Sequence, residues 1–145
     1  MNALAESSFT TRDAHGLLRL SLRLDALVSA AFAALVLIGG PVLVDLLGAP
    51  LTLLWSVGVA VLAWSGALWW AERRERISPR AVWTIIALNL MWSLESVLLV
   101  VLGWVPLTGL GIIFVLLQAA AVLGLTDLQF VGLRRAHYHG PARGD

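Results

Sequence analysis

Glu95 stands inside an otherwise apolar run, Ala81 to Gly103, that reads AVWTIIALNLMWSLESVLLVVLG. Placing a carboxyl group in hydrocarbon costs about 2.5 kcal/mol or more, so the residue is a functional candidate before anything else is known. Glu95 lies eleven residues before Pro106 and Gln118 twelve residues after it. In an antiparallel hairpin turning at Gly103-Trp104-Val105-Pro106 the two reach nearly the same depth, within reach of a hydrogen bond. Trp92 is one helical turn from Glu95 and shares its face. Trp64, in the preceding apolar run, also falls near mid-depth, where an indole N–H wants an acceptor. With Asn89, these residues form the candidate ligand-binding set: Glu95, Gln118, Trp92, Trp64 and Asn89.

Three kinds of chemistry fit such a set. A carboxyl donating to Gln118 or to a backbone carbonyl is interhelical glue, worth about 1 kcal/mol. A carboxyl open to a substrate can bind a cationic or lipophilic molecule and carry a proton. In an enzyme, Glu95 would be the general acid, Asp25 or Asp127 the carboxylate base, and Trp64 and Trp92 the walls that stabilise a cation. That last arrangement is strained by distance, because Asp25 and Glu95 fall about 10 Å or more apart along the helix axes.

Asp25 lies two residues beyond Arg23 and Asp127 seven before Arg134. Both are expected near the arginine-rich boundary, paired with arginines or N–H groups, or forming a polar vestibule with Asn89. Asn89, Ser93 and Ser96 recur at helical spacing and read as a packing stripe.

No histidine falls inside an apolar run, which argues against a haem held between two histidines. His15, His137 and His139 belong to the terminal segments, where His137-Tyr138-His139 reads as a solvated tail and not as a metal site. The chain carries no P-loop, GxSxG, HExxH or dinucleotide fingerprint. No cofactor and no metal are therefore expected, and the absence of cysteine excludes thiol chemistry.

The elements that must position these residues are marked by the arginines. The chain has 145 residues, 59% of them hydrophobic and 13% charged, which is membrane-protein composition. It has no lysine, and its ten arginines fall in three clusters, with none between Arg23 and Arg73 or between Arg80 and Arg134. A helix crossing about 30 Å of hydrocarbon needs about 20 residues, so each gap holds two spans. The expected fold is all-α, a four-helix transmembrane bundle with spans near 22–38, 51–71, 81–103 and 107–131. The domain 22–131 is preceded by a polar segment with an interfacial helix, 1–21, and followed by a basic tail, 132–145.

Gly39-Gly40-Pro41 is expected to end or kink the first span. Thr10 and Thr11 read as a helix cap, and Arg19 and Arg23 as side chains that snorkel to headgroups. Ser56, Ala60, Ala63 and Ala67 promise a close-packing groove on the second span, with Gly109, Gly111, Ala119, Ala120, Ala121 and Gly124 doing the same on the fourth. Pro50-Leu51-Thr52 and Pro106-Leu107-Thr108 each open the second helix of a hairpin, a weak parallel repeat.

By the positive-inside rule both termini and the loop from Glu72 to Arg80 are cytoplasmic in a cell membrane. Trp55 and Trp104 then mark the outer interface, and Trp69, Trp70 and Trp83 the inner one. The arginines suit anionic lipid headgroups better than nucleic acid. The leading reading is a small membrane subunit or helper that packs against itself, as a homo-oligomer, or against a membrane protein partner. The alternatives are a proton-coupled small-molecule transporter using Glu95 and a membrane-embedded isomerase or cyclase acting on an apolar substrate.

Overall fold

The computed structural model describes residues 2–138, with side chains from 16 to 136. The described residues form four α-helices and no strand: α1 (Asn2–Leu47), α2 (Leu51–Glu72), α3 (Pro79–Val101) and α4 (Gly109–Tyr138). All four are long and apolar enough to cross a membrane, α1 through Gly16–Leu47 and α4 through Gly109–Ala136. Most of each helix surface is apolar and uncovered, as in Ile38, Val101 and Leu117.

Three boundaries differ from the sequence expectation. First, α1 does not stop at Gly39-Gly40-Pro41 but runs unbroken through Pro41 to Leu47. Proline removes one N–H donor, whereas ending the helix there would strand several carbonyls away from water, the costlier option in an apolar setting. The turn is instead made at Gly48, whose φ of 73° suits glycine and whose N–H reaches back to the Val44 carbonyl at 2.9 Å. Second, α1 is helical from Asn2, so no helix starts at Thr10 or Thr11. Third, α4 continues beyond residue 131 to Tyr138; His139 and the rest of the tail lie outside the described residues, as does the side chain of His137.

The helices are not packed in chain order. α2 lies along α1, α1 along α4, and α4 along α3, so the spatial order is α2, α1, α4, α3. α2 and α3 are joined by a short loop yet share no extended contact. The expected small-residue groove on α2 is not the one used: Ser56, Ala60, Ala63 and Ala67 are exposed, while Leu54, Gly58, Val61, Ser65 and Leu68 are buried. Gly58 accounts for the choice, since a Cβ there would lie 2.7 Å from the Leu37 side chain. On α4, Gly111 and Ala119 are buried but Gly109, Ala120, Ala121 and Gly124 are not.

Both ends of the bundle are tied. At the arginine end, Arg19 donates to the Glu72 carbonyl and to those of Arg74 at 2.7 Å and Glu75 at 3.0 Å, while Arg23 Nε meets Glu72 Oε1 at 2.7 Å. Arg19 thus holds the α2–α3 loop onto α1, and Arg23 the end of α2. At the other end, Thr108 hydrogen-bonds both ends at once. Its N–H donates to the Leu47 carbonyl at 3.0 Å and its hydroxyl to that of Leu46, while the hydroxyl oxygen accepts from the Gly111 N–H at 3.0 Å. One residue therefore finishes α1 and starts α4.

The buried apolar clusters sit toward these two ends. Leu18, Val82, Ile86 and Leu133, with Leu22, Ala26, Leu68 and Ile85 beside them, fill the arginine end. Leu47, Ala49 and Leu54 fill the other. The middle of the bundle is where the polar residues and the empty space are found.

Candidate functional site

Among the described residues Asp25 is the most deeply buried acid, 1% exposed on α1. Its Oδ2 accepts from Asn89 Nδ2 of α3 at 2.8 Å and from Gln129 Nε2 of α4 at 2.6 Å, and its Oδ1 accepts a long 3.4 Å bond from Ser29 Oγ one turn on. Asn89 Nδ2 also lies 3.5 Å from Gln129 Oε1. Three helices that are distant in sequence are thus joined by a carboxyl and two carboxamides, all buried. The donors are neutral, and Arg23, the nearest arginine in sequence, turns to Glu72.

Further from the arginine end, Trp92 Nε1 donates to Gln118 Oε1 at 3.0 Å, and Gln118 Nε2 donates to Ser96 Oγ at 2.9 Å. The mid-depth indole has its acceptor, as its position required, but the bond proposed between Glu95 and Gln118 is not formed. Gln118 spends its amide on Trp92 and Ser96, leaving Glu95 exposed beside it. The packing stripe behaves as its spacing suggested: Asn89, Ser93 and Ser96 are buried, and Ser93 Oγ reaches the Ala119 carbonyl of α4 at 3.5 Å.

Between α2 and α3 the unpacked seam opens into a cavity of about 260 Å³ whose wall is mainly apolar. Asp25, Trp64, Asn89, Trp92, Glu95 and Gln118 all line it. A second hollow of about 240 Å³ adjoins it toward the turn end and shares Phe32, Trp92, Glu95 and Gln118 with the first. Glu95 therefore stands at the junction of the two, and Asp25 lines only the one nearer the arginines. Phe32 also stacks on Phe114 at 5.7 Å between ring centroids, which props the α1–α4 wall.

Compared with models of known families, with curated proteins and with solved structures, the chain matches none. What the site can do must therefore be read from its own geometry.

The structure brings together the five residues proposed to bind a ligand and one of the two aspartates proposed as base. Asp127 is the exception. It is exposed on α4 and does not line the cavity; the residue before it, Thr126, is buried, and Gln129 takes the place proposed for it beside Asp25 and Asn89. Two residues along a helix is about 200° of rotation, which is why the aspartate faces out where the glutamine faces in.

Gln129 had a signal in the sequence. It follows Gln118 by eleven residues, three helical turns, so the two carboxamides share one face of α4. Opposite them on α3 run Ser96, Ser93 and Asn89. Ser29, four residues from Asp25, had the same kind of signal on α1. Among the described residues no group of three metal-ligating side chains is found.

Proposed function

We propose that this chain is a four-span membrane protein that binds a lipophilic small molecule in the cavity between α2 and α3, admits it sideways from the bilayer, and moves or presents it with Glu95 as the ionisable wall group. Ligand cavities are mostly apolar with a few convergent polar groups, and the two adjoining hollows together have that make-up. The observation that carries the reading is the seam. Two helices joined by a short loop leave a gap between them at mid-depth, and into that gap face an exposed carboxyl and two indoles.

In this reading the arginine end is cytoplasmic, with both termini, and the turns at Gly48 and Gly103 face outward. The tryptophan distribution supports it. Trp69, Trp70 and Trp83 are exposed at the arginine end, with Arg73 and Arg74 over the rings of Trp69 and Trp70 at 5.0 and 3.8 Å, and Trp55 and Trp104 are exposed at the other.

A subunit role has one observation in its favour, the uncovered Ser56, Ala60, Ala63 and Ala67 stripe, which would suit a second membrane helix. The cavity reading accounts for more, because it gives Glu95 a place.

The test uses the purified protein in lipid nanodiscs and an environment-sensitive lipophilic dye. Wild type is expected to bind it saturably, and Ala60→Phe, which fills the cavity from α2, to lose most of the binding. Equal binding by both proteins would sink the reading, as would co-purification of a stoichiometric partner whose helix occupies the seam.

A further inference from the structure

We propose that the cavity takes a lipophilic amine in its protonated form, and that Asp25, not Glu95, is the residue that anchors its ammonium group. The inference rests on the cavity reading above and names the ligand class and the anchor.

Asp25 is an acid buried among neutral groups. Both carboxamide donors converge on one oxygen, Oδ2, while Oδ1 has only the 3.4 Å contact with Ser29. An oxygen with spare lone pairs on a residue that lines a cavity is an acceptor waiting for a donor. The two arginines nearest in sequence are committed elsewhere, Arg19 to the loop carbonyls and Arg23 to Glu72. Neither cavity has a basic residue among its lining residues. A carboxylate buried here needs a paired cation, and none of the side chains lining the space supplies one.

The walls point the same way. Trp64, Trp92 and Phe32 line the space together with Asp25, and an ammonium group is drawn both to a carboxylate and to aromatic rings. The rest of the ligand would lie along the apolar seam toward Glu95. Asn89 and Gln129 act on the ligand only through Asp25. By both donating to Oδ2 they hold the carboxyl in one orientation, and so are positioning residues.

Glu95 is the competing anchor. It is exposed at the seam, where lipid and water can exchange around it, and makes no hydrogen bond or ion pair among the described residues. A group so placed can attract an amine to the entrance. It lacks the two donors that hold Asp25 in one orientation.

The probes are phenylbutylamine and its uncharged counterpart phenylbutanol, titrated calorimetrically into nanodisc-embedded protein. Wild type is expected to prefer the amine by about tenfold or more, the scale of one hydrogen bond to a charged group. Asp25→Asn, close in shape, should abolish the preference while phenylbutanol still binds, and Glu95→Gln should keep most of it. If neither compound binds wild type, the cavity reading itself fails. If both bind wild type equally, or if the preference disappears in Glu95→Gln and survives in Asp25→Asn, the cavity stands and the Asp25 assignment falls.

A measurement on wild type covers the case in which Asp25→Asn does not fold. Solid-state dipolar recoupling between nitrogen-labelled phenylbutylamine and carboxyl-labelled aspartate should show close contact, because Asp25 is the cavity's only aspartate. Contact with labelled glutamate alone would overturn the assignment.

Discussion

Asn89 of α3 donates to Asp25 of α1 at 2.8 Å across 64 residues of chain, although α1 and α3 share no extended packing. The bond bridges the bundle through a polar contact where apolar contact is missing. Removing one carboxamide leaves the carboxyl short of a donor, whereas removing the whole group leaves nothing unsatisfied. Gln129→Leu is therefore expected to cost about 1 to 2 kcal/mol in unfolding free energy. The triple replacement of Asp25, Asn89 and Gln129 by leucine should cost less than that single change. Unfolding in mixed detergent, followed by circular dichroism, checks the order.

Glycine positions on α4 separate cleanly by what a methyl group would meet. At Gly111 a Cβ would lie 2.1 Å from the Leu47 carbonyl oxygen, and at Gly124 it would meet nothing within 4 Å. Gly111→Ala should push α1 and α4 apart and destabilise by about 1 to 3 kcal/mol. Gly124→Ala should be neutral or stabilise by up to about 1 kcal/mol, as alanine does in helix interiors. The same unfolding assay distinguishes them.

Arg19 binds three carbonyls of the α2 end and the loop, while Arg23 is 59% exposed and makes a single ion pair. Glu72 beneath it is 4% exposed, so losing the pair strains the end of α2 and not the loop carbonyls that Arg19 holds. Hydrogen exchange over residues 73–78 is expected to rise several-fold in Arg19→Gln and to change little in Arg23→Gln. Equal effects would mean that charge, and not carbonyl capping, holds the loop.

The chain has no cysteine, so single cysteines report topology without background. A membrane-impermeant maleimide added to intact cells should label Gly103→Cys and leave Ser78→Cys unlabelled until the cells are opened. The reverse pattern would invert the orientation.

The sequence carried the helix count and much of the cavity lining, because arginine clusters and buried polar residues are rare events in an apolar chain and each needs a physical reason. Glu95, Trp64, Trp92, Gln118 and Asn89 were legible for that reason. Facing direction was not. Asp127 and Gln129 differ by two residues, and their depths are nearly equal, so only the rotation of α4 tells them apart. Nor could the sequence show that Ser56, Ala60, Ala63 and Ala67 would stay uncovered: small residues announce that a close approach is available, and Gly58 offered a closer one. The passage of α1 through Pro41 was hidden because the gain lies in Thr108, far along the chain, which receives the helix end.

Gln129 is synthesised 104 residues after the aspartate it satisfies. On the proposed four-span topology the first hairpin waits with Asp25 lacking both of its amide donors, since Asn89 also arrives later. The completed bundle conceals this acid, and an incomplete one displays it. An uncovered acid of that kind is expected to hasten clearance of unfinished chains. A chain ending at Leu107 should be cleared faster than the full-length protein in a pulse-chase experiment, and Asp25→Leu should remove the difference.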